Sequence, residues 1–312
     1  MIDTVNFRLT IAEAGGVDFL GEIPRYLDSV AEHLHEDGQL TITGRLGGLR
    51  VSLSRYQMKV GEGSLCKWYL GDNYQTMSRG DVAGAIESLS DALHVPMEKA
   101  DVCRMDIGQS FVMKCPTSAY LDHLGFLNYS TRLEQPNSLY YQQKDRQLCF
   151  YDKNKEQKSR HEAVPELYEG KNVLRYEQRY TSRLSKRLNV PRMTGELLPE
   201  PTFYRSLLER WRGDYERIQK INDITLNFRA MRTKRELHKM GVLSLVEKQG
   251  GQVAMLEQIN EAVKRGDLTR KQAYDLRQEV NAACMMGAGL TEQSGLIAEL
   301  NEKVATAARF NC

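Results

Sequence analysis

The chain has 312 residues, 41% hydrophobic and 27% charged, with 43 Lys+Arg against 41 Asp+Glu; this is an ordinary globular composition that can bury a core as one large or two medium domains. No apolar run approaches the roughly 20 residues that cross a bilayer, and the opening Met1 to Thr10 lacks the basic start and apolar middle of a secretory signal. The 6 cysteines form no C-x-x-C pair, which argues against a structural zinc set, so a cytoplasmic protein with reduced thiols is expected.

In chain order, Val5 to Leu9 alternates like a half-buried strand and Ile23 to His35 reads as a helix. Leu40 to Thr43, a turn at Gly47-Gly48, and Leu49 to Val60 read as a hairpin. A strand is expected from Ser64 to Leu70. Ser78 then caps a helix with the apolar stripe Val82, Ile86, Leu89 and Leu93. Val102 to Val112 returns to strand, Leu139 to Tyr151 forms a second hairpin turning at Lys144-Asp145-Arg146, and Val173 to Tyr180 is another strand. Pro191, Pro199 and Pro201 punctuate a connector, after which the period is helical, broken at Gly250-Gly251 and Gly266-Asp267. Thr269 and Gln272 form a capping box for a further helix. The expected architecture is α+β, mainly antiparallel sheet with packed helices, over residues 1–195 as a catalytic domain, followed by an all-α domain over 196–312.

Charge is unevenly spread. Residues 140–240 hold about 23 Lys+Arg against 14 Asp+Glu, whereas the preceding part holds about 12 against 18. The basic middle suggests a phosphate-contacting face, with a solvated helical surface as the plainer alternative.

Three segments carry ionisable residues in strand alternation: Cys103 to Gly108, Gln147 to Lys153 running on through Lys155, Glu156 and Lys158, and Leu174 to Arg179. Alternate strand residues share a face, so Arg104 points with Asp106, and Arg175 with Glu177 and Arg179. Tyr151 is expected to share a side with Cys149 and Lys153. Neighbouring strands would converge two carboxylates, a phenol and several cations, a set suited to phosphoryl transfer. Carboxylate oxygens hold a divalent metal that polarises phosphate, and a tyrosine oxygen attacks phosphorus, conserving the phosphodiester's energy for resealing. Packing is the competing reading for any strand tyrosine, and Tyr140, Tyr141, Tyr176 and Tyr180 are rivals to Tyr151. Asp106 has the alternative of a simple salt bridge, and the lysines that of solvation.

Arg104-x-Asp106, then Arg146 to Lys153 with Lys155-Glu156, then Leu174-Arg175-Tyr176-Glu177-x-Arg179 together resemble the gene II/X replication proteins of filamentous phages and the related replication-initiation-factor family of rolling-circle plasmids. The opening Met1 to Val5 with Arg8-Leu9 is similar to the phage branch, and the resemblance covers roughly residues 1–190. It implies Tyr151 as nucleophile, Asp106 and Glu177 as ligands of Mg²⁺ or Mn²⁺, and Lys153 and Lys155 at the scissile strand. The implied reaction nicks origin DNA, single-stranded or hairpin, through a 5′-phosphotyrosyl linkage and frees a 3′-hydroxyl for a host polymerase. The helical tail is a candidate for duplex binding, oligomerisation or docking a host helicase; Ala262 to Glu279 resembles a helix-turn-helix loosely, and a plain helical hairpin is the alternative. A mobilisation relaxase, a non-catalytic DNA-binding regulator and a hydrolytic nuclease are the rival functions. His33-Leu34-His35 matches the His-hydrophobic-His metal pair of many nickases, but in the expected helix the two rings point about 200° apart; on a strand they would point together.

Overall fold

Ten antiparallel strands make one sheet in the computed structural model, which describes residues 1–221, 223–224, 232–287, 291–292 and 294–310. The strands are β1 (Ile2–Thr10), β2 (Asp28–Leu34), β3 (Leu40–Leu46), β4 (Leu49–Leu53), β5 (Gln57–Gly61), β6 (Asp101–Met113), β7 (Thr131–Gln135), β8 (Ser138–Gln142), β9 (Arg146–Asp152) and β10 (Asn172–Tyr180). Their order is β2-β3-β4-β5-β1-β6-β10-β9-β8-β7.

The alternation of the sequence divides this sheet into two faces. Val5, Phe7, Leu9, Val51, Met58, Val60, Met105, Ile107, Phe150 and Tyr176 are buried in one cluster. The helices Arg79–Leu93 and Pro201–Glu216 contribute Val82, Ile86, Leu89, Leu207 and Trp211 to that cluster. Trp211 stacks on Tyr176 at 4.7 Å, and Tyr176 on Phe150 at 4.4 Å. Side chains of this kind stabilise by about 1.5–3 kcal/mol each when fully buried, and they fix which way β9 and β10 face. Their sequence neighbours, Tyr151 and Glu177, are thereby turned to the opposite, polar face.

Several expected elements change. Ile23 to His35 is not a helix: a short helix Phe19–Glu22 and a 3₁₀ turn Ile23–Tyr26 end at buried Leu27, and the chain continues as β2. Every residue of β2 is exposed. An edge strand with no buried face has no alternation to read; pairing with β3 decides its conformation. Ser64 to Leu70 is likewise not a strand but the helix Leu65–Leu70, because the Ser64 hydroxyl accepts from the Lys67 N–H and Gly71 closes the other end at φ +90°. The stretch from Leu49 to Val60 is two strands, β4 and β5. Lys153, Lys155 and Lys158 do not prolong β9: the Asp152 carboxylate accepts from the Lys155 N–H and starts the helix Lys153–Ser159.

Beyond residue 200 the chain is mainly helical. Helices Lys234–Lys248, Gln252–Arg265 and Arg270–Gly287 bury small clusters of their own, centred on Met240, Leu243 and Ala283 and on Val246, Ile259, Ala273 and Val280. Thr269 and Gln272 exchange the expected capping bonds. The last helix, Gly295–Phe310, returns to the main core through Ile297, Leu300 and Val304. No helix among the described residues is long and apolar enough to cross a membrane.

Candidate active site

The three ionisable segments do lie side by side, as β6, β10 and β9. Arg175 pairs with Tyr151, Glu177 with Cys149 and with Gly108, and Arg179 with Asp106. Directly opposite residues point to one face, so Asp106, Tyr151, Arg175, Glu177 and Arg179 share it. Gly108 makes the room: a Cβ there would stand 2.7 Å from the Glu177 Cγ.

Glu177 is the hub. Its Oε1 accepts from the Tyr151 hydroxyl at 2.7 Å and from Arg175 Nε at 2.9 Å. Its Oε2 accepts from Arg179 Nη2 at 2.7 Å and Nε at 3.0 Å. Burial opposes its ionisation, but the two guanidinium groups and the phenol outweigh burial and hold the carboxyl well below its ordinary value. Tyr151 is 7% exposed; burial first, then the Glu177 charge, raises its phenol well above the ordinary value.

Arg175 is fully buried and anchors the hub to β1, with Nη2 on Asp3 Oδ2 at 2.7 Å and Nη1 on the Asn73 carbonyl at 2.7 Å. The sequence reading missed Asp3, which meets Arg175 across 172 positions; the one available signal was an acidic residue near the start of a half-buried strand. Asp106 receives Arg104 bidentately, Nε to Oδ1 at 3.1 Å and Nη2 to Oδ2 at 2.7 Å. Burial nevertheless pushes its pKa up to about 6. As a buried oxygen donor this carboxylate has the chemistry that suits Mg²⁺ or Mn²⁺, with both its oxygens already accepting from Arg104. Both oxygens of Glu177 are likewise engaged, by Tyr151, Arg175 and Arg179. Among the described residues, no three His, Cys, Asp or Glu side chains gather as a metal-holding group.

The lysines separate. Lys153 is 2% exposed, turned inward, with Nζ on Glu156 Oε2 at 2.9 Å and 5.5 Å from the centre of the Tyr74 ring. Lys155 is exposed and bonds Asn137 Oδ1 at 2.7 Å. It borders an open cavity of about 300 Å³ whose wall includes Tyr151, Tyr140, Arg160 and Arg179. Tyr151 thus lies at the cavity's wall while its hydroxyl's bond to Glu177 is buried.

Of the rival tyrosines, Tyr141 is buried with its hydroxyl on the Gly125 carbonyl, and Tyr176 is buried with its hydroxyl on the Trp211 carbonyl. Tyr180 is also buried. Tyr140 lies opposite Cys149, on the face of Tyr151, half-buried and without a hydroxyl partner among the described residues. His33 in β2 and His35 just beyond its end do turn the same way, but each ring bonds a β3 threonine, Thr43 and Thr41. They sit six strand positions from β10, about 29 Å at the usual spacing, and take no part in this site.

Residues 1–199 match the family described as the N-terminal region of the phage replication-associated protein of gene II type. No curated protein is significantly similar to the chain.

Proposed function

The chain belongs to the family of gene II-type phage replication-associated proteins, and from that premise we propose that it initiates rolling-circle replication by nicking one DNA strand with Tyr151. The observation that carries the proposal is the buried hydrogen bond from the Tyr151 hydroxyl to Glu177, with Tyr151 itself lining an open cavity rimmed by Lys155, Arg160 and Arg179. In this reading Arg179, Lys155 and Arg160 receive the scissile phosphate, matching its charge and fixing it in the cavity. Tyr151 Oη attacks phosphorus while its proton passes to Glu177. The Oη–P bond forms, the P–O3′ bond breaks, and the departing 3′-oxygen takes up a proton. The product is a 5′-phosphotyrosyl linkage and a free 3′-hydroxyl suited to extension by a host polymerase. Attack of a 3′-hydroxyl on the linkage reverses the step and reseals the strand without a further energy source.

A divalent Mg²⁺ or Mn²⁺ ion, held by Asp106 with Glu177 as the second carboxylate, would polarise a non-bridging phosphate oxygen. Glu177 serves the phenol first, since its oxygens are occupied by Tyr151, Arg175 and Arg179. Lys153, being inward, supports the start of its helix instead of contacting phosphate. Docking of a host helicase would fall to the helical tail.

Tyr151→Phe tests the proposal. The variant should lose covalent trapping of a labelled single-stranded origin oligonucleotide, while Tyr140→Phe should keep it. An undiminished adduct in Tyr151→Phe would remove Tyr151 from the reaction.

A further inference from the structure

We infer that the exposed face of β1, β3, β4 and β5 is a docking surface for the phosphate backbone of duplex DNA flanking the nick. Register places its cations. Arg8 lies opposite Lys59, Lys59 opposite Ser52, and Arg50 opposite both Gly61 and Arg45. Asn6 lies opposite Arg104, so the four basic residues share the face that carries Arg104, Asp106 and, through β10, Arg179. Arg8, Arg45, Arg50 and Lys59 are all exposed.

These cations are open to a polyanion. Arg8 pairs with Asp101 at 2.8 Å and Arg50 with Glu62 at 3.0 Å, both as surface bridges. Such bridges are worth about 0–1 kcal/mol, so phosphate competes with them readily. Arg45 and Lys59 have no ion-pair partner among the described residues. Of the carboxylates on this side, Asp28, Asp101 and Glu62 lie on the outermost strand or at or next to strand ends, while Asp106 and Glu177, in mid-strand, are bound by Arg104 and by Arg175 and Arg179. Between the cations lies a groove of about 420 Å³ whose lining includes Asn6, Ser52 and Gly61. Its floor stays low because Gly61 has no side chain; a Cβ there would stand 2.4 Å from Asn6 Oδ1.

The chemistry selects duplex over single strand. Binding of single strands relies on aromatic platforms for unstacked bases, and the outward residues of these strands, Asn6, Arg8, Thr43, Arg45, Arg50, Ser52 and Lys59, include no ring. Guanidinium, ammonium and hydroxyl groups instead match backbone phosphates, which position a duplex without reading its sequence. From Arg179 on β10 to Arg45 on β3 are five strand steps, about 24 Å at the usual spacing, or about seven base pairs of rise. The track runs across the strands and ends at the cavity beside Tyr151. It rests on the reading of that cavity as a DNA site, though not on which residue attacks.

The test is an Arg45→Gln, Arg50→Gln, Lys59→Gln triple variant of the full chain, titrated across salt against duplex and single-stranded oligonucleotides of mixed sequence two helical turns long. Each lost phosphate contact lowers the salt slope by about 0.9, so three lower it by about 2.7, which at 0.15 M salt corresponds to about a hundredfold loss of duplex affinity. Single-strand binding and covalent trapping of a short single-stranded origin oligonucleotide should be unchanged. Duplex affinity within about twofold of the parent, or an equal fall for single strands, would overturn the assignment. Failure of the nicking reading is scored separately, by trapping with Tyr151→Phe, and leaves the duplex titration interpretable.

Discussion

Arg175 is the residue on which the site's geometry depends, because it lies fully buried between two carboxylates, Asp3 and Glu177. Breaking a buried pair by removing one partner costs about 3–5 kcal/mol, since a charge is left uncompensated. Arg175→Met should therefore lower the unfolding free energy by about that amount, read from the urea midpoint at unchanged slope; a loss below about 1 kcal/mol would show that the network does not hold the strands. Glu177→Gln also leaves Arg175 and Arg179 without their shared countercharge, so its rate is compared on the folded fraction read from the urea midpoint. The amide preserves a hydrogen-bond partner for Tyr151 but cannot take its proton, so single-turnover nicking should slow by about 10²- to 10⁴-fold with DNA affinity little changed. Equal losses in affinity and rate would instead make Glu177 a residue that only positions the strand. Much of this was legible in the sequence, because strand alternation alone puts Arg104 with Asp106 and Arg175 with Glu177. The Tyr151–Glu177 contact was not, since it depends on β9 lying beside β10 in one particular register.

At the scale of elements, β10 works because its two faces are unlike: Tyr176 and Gln178 enter the core while Arg175, Glu177 and Arg179 face the site. Trp211 stacks on Tyr176 from behind, so Trp211→Ala should cost about 3–5 kcal/mol through the cavity it leaves, measurable by denaturant unfolding. The folded fraction should still form adduct, because no site residue is touched. Elements with a buried face were readable: the stripe from Val82 to Leu93 and the alternation of β6 and β10 both appear in the fold. An exposed edge strand and short, capped helices were not. β2, exposed along its whole length, borrows its conformation from β3. The helix Leu65–Leu70 is short enough for its caps at Ser64 and Gly71 to decide the matter over its strand-like composition. Asp152 likewise converts an apparent continuation of β9 into a helix, which is why Lys153 turns away from Tyr151.

For the whole molecule, adjacency in space reorganises charge that the chain scatters. The acidic N-terminal part, with about 18 Asp+Glu against 12 Lys+Arg before Tyr140, still presents Arg8, Arg45, Arg50 and Lys59 on one face, because four different strands each contribute one outward cation. Segment counts cannot show this, as they average the two sides of every strand. The same folding unites Asp3 of β1 with Arg175 of β10 and brings Gly295–Phe310 back against the sheet's core. It also sets the Tyr151 phenol beside the Glu177 carboxylate, with Tyr151 at the wall of an open cavity. The most direct measurement is to trap the full chain on a single-stranded origin oligonucleotide with Mn²⁺, digest the adduct, and locate the modified residue by fragment mass. The nucleotide is expected on Tyr151; its appearance on Tyr140, or a cleaved strand bearing a free 5′-phosphate with no adduct, would contradict the account.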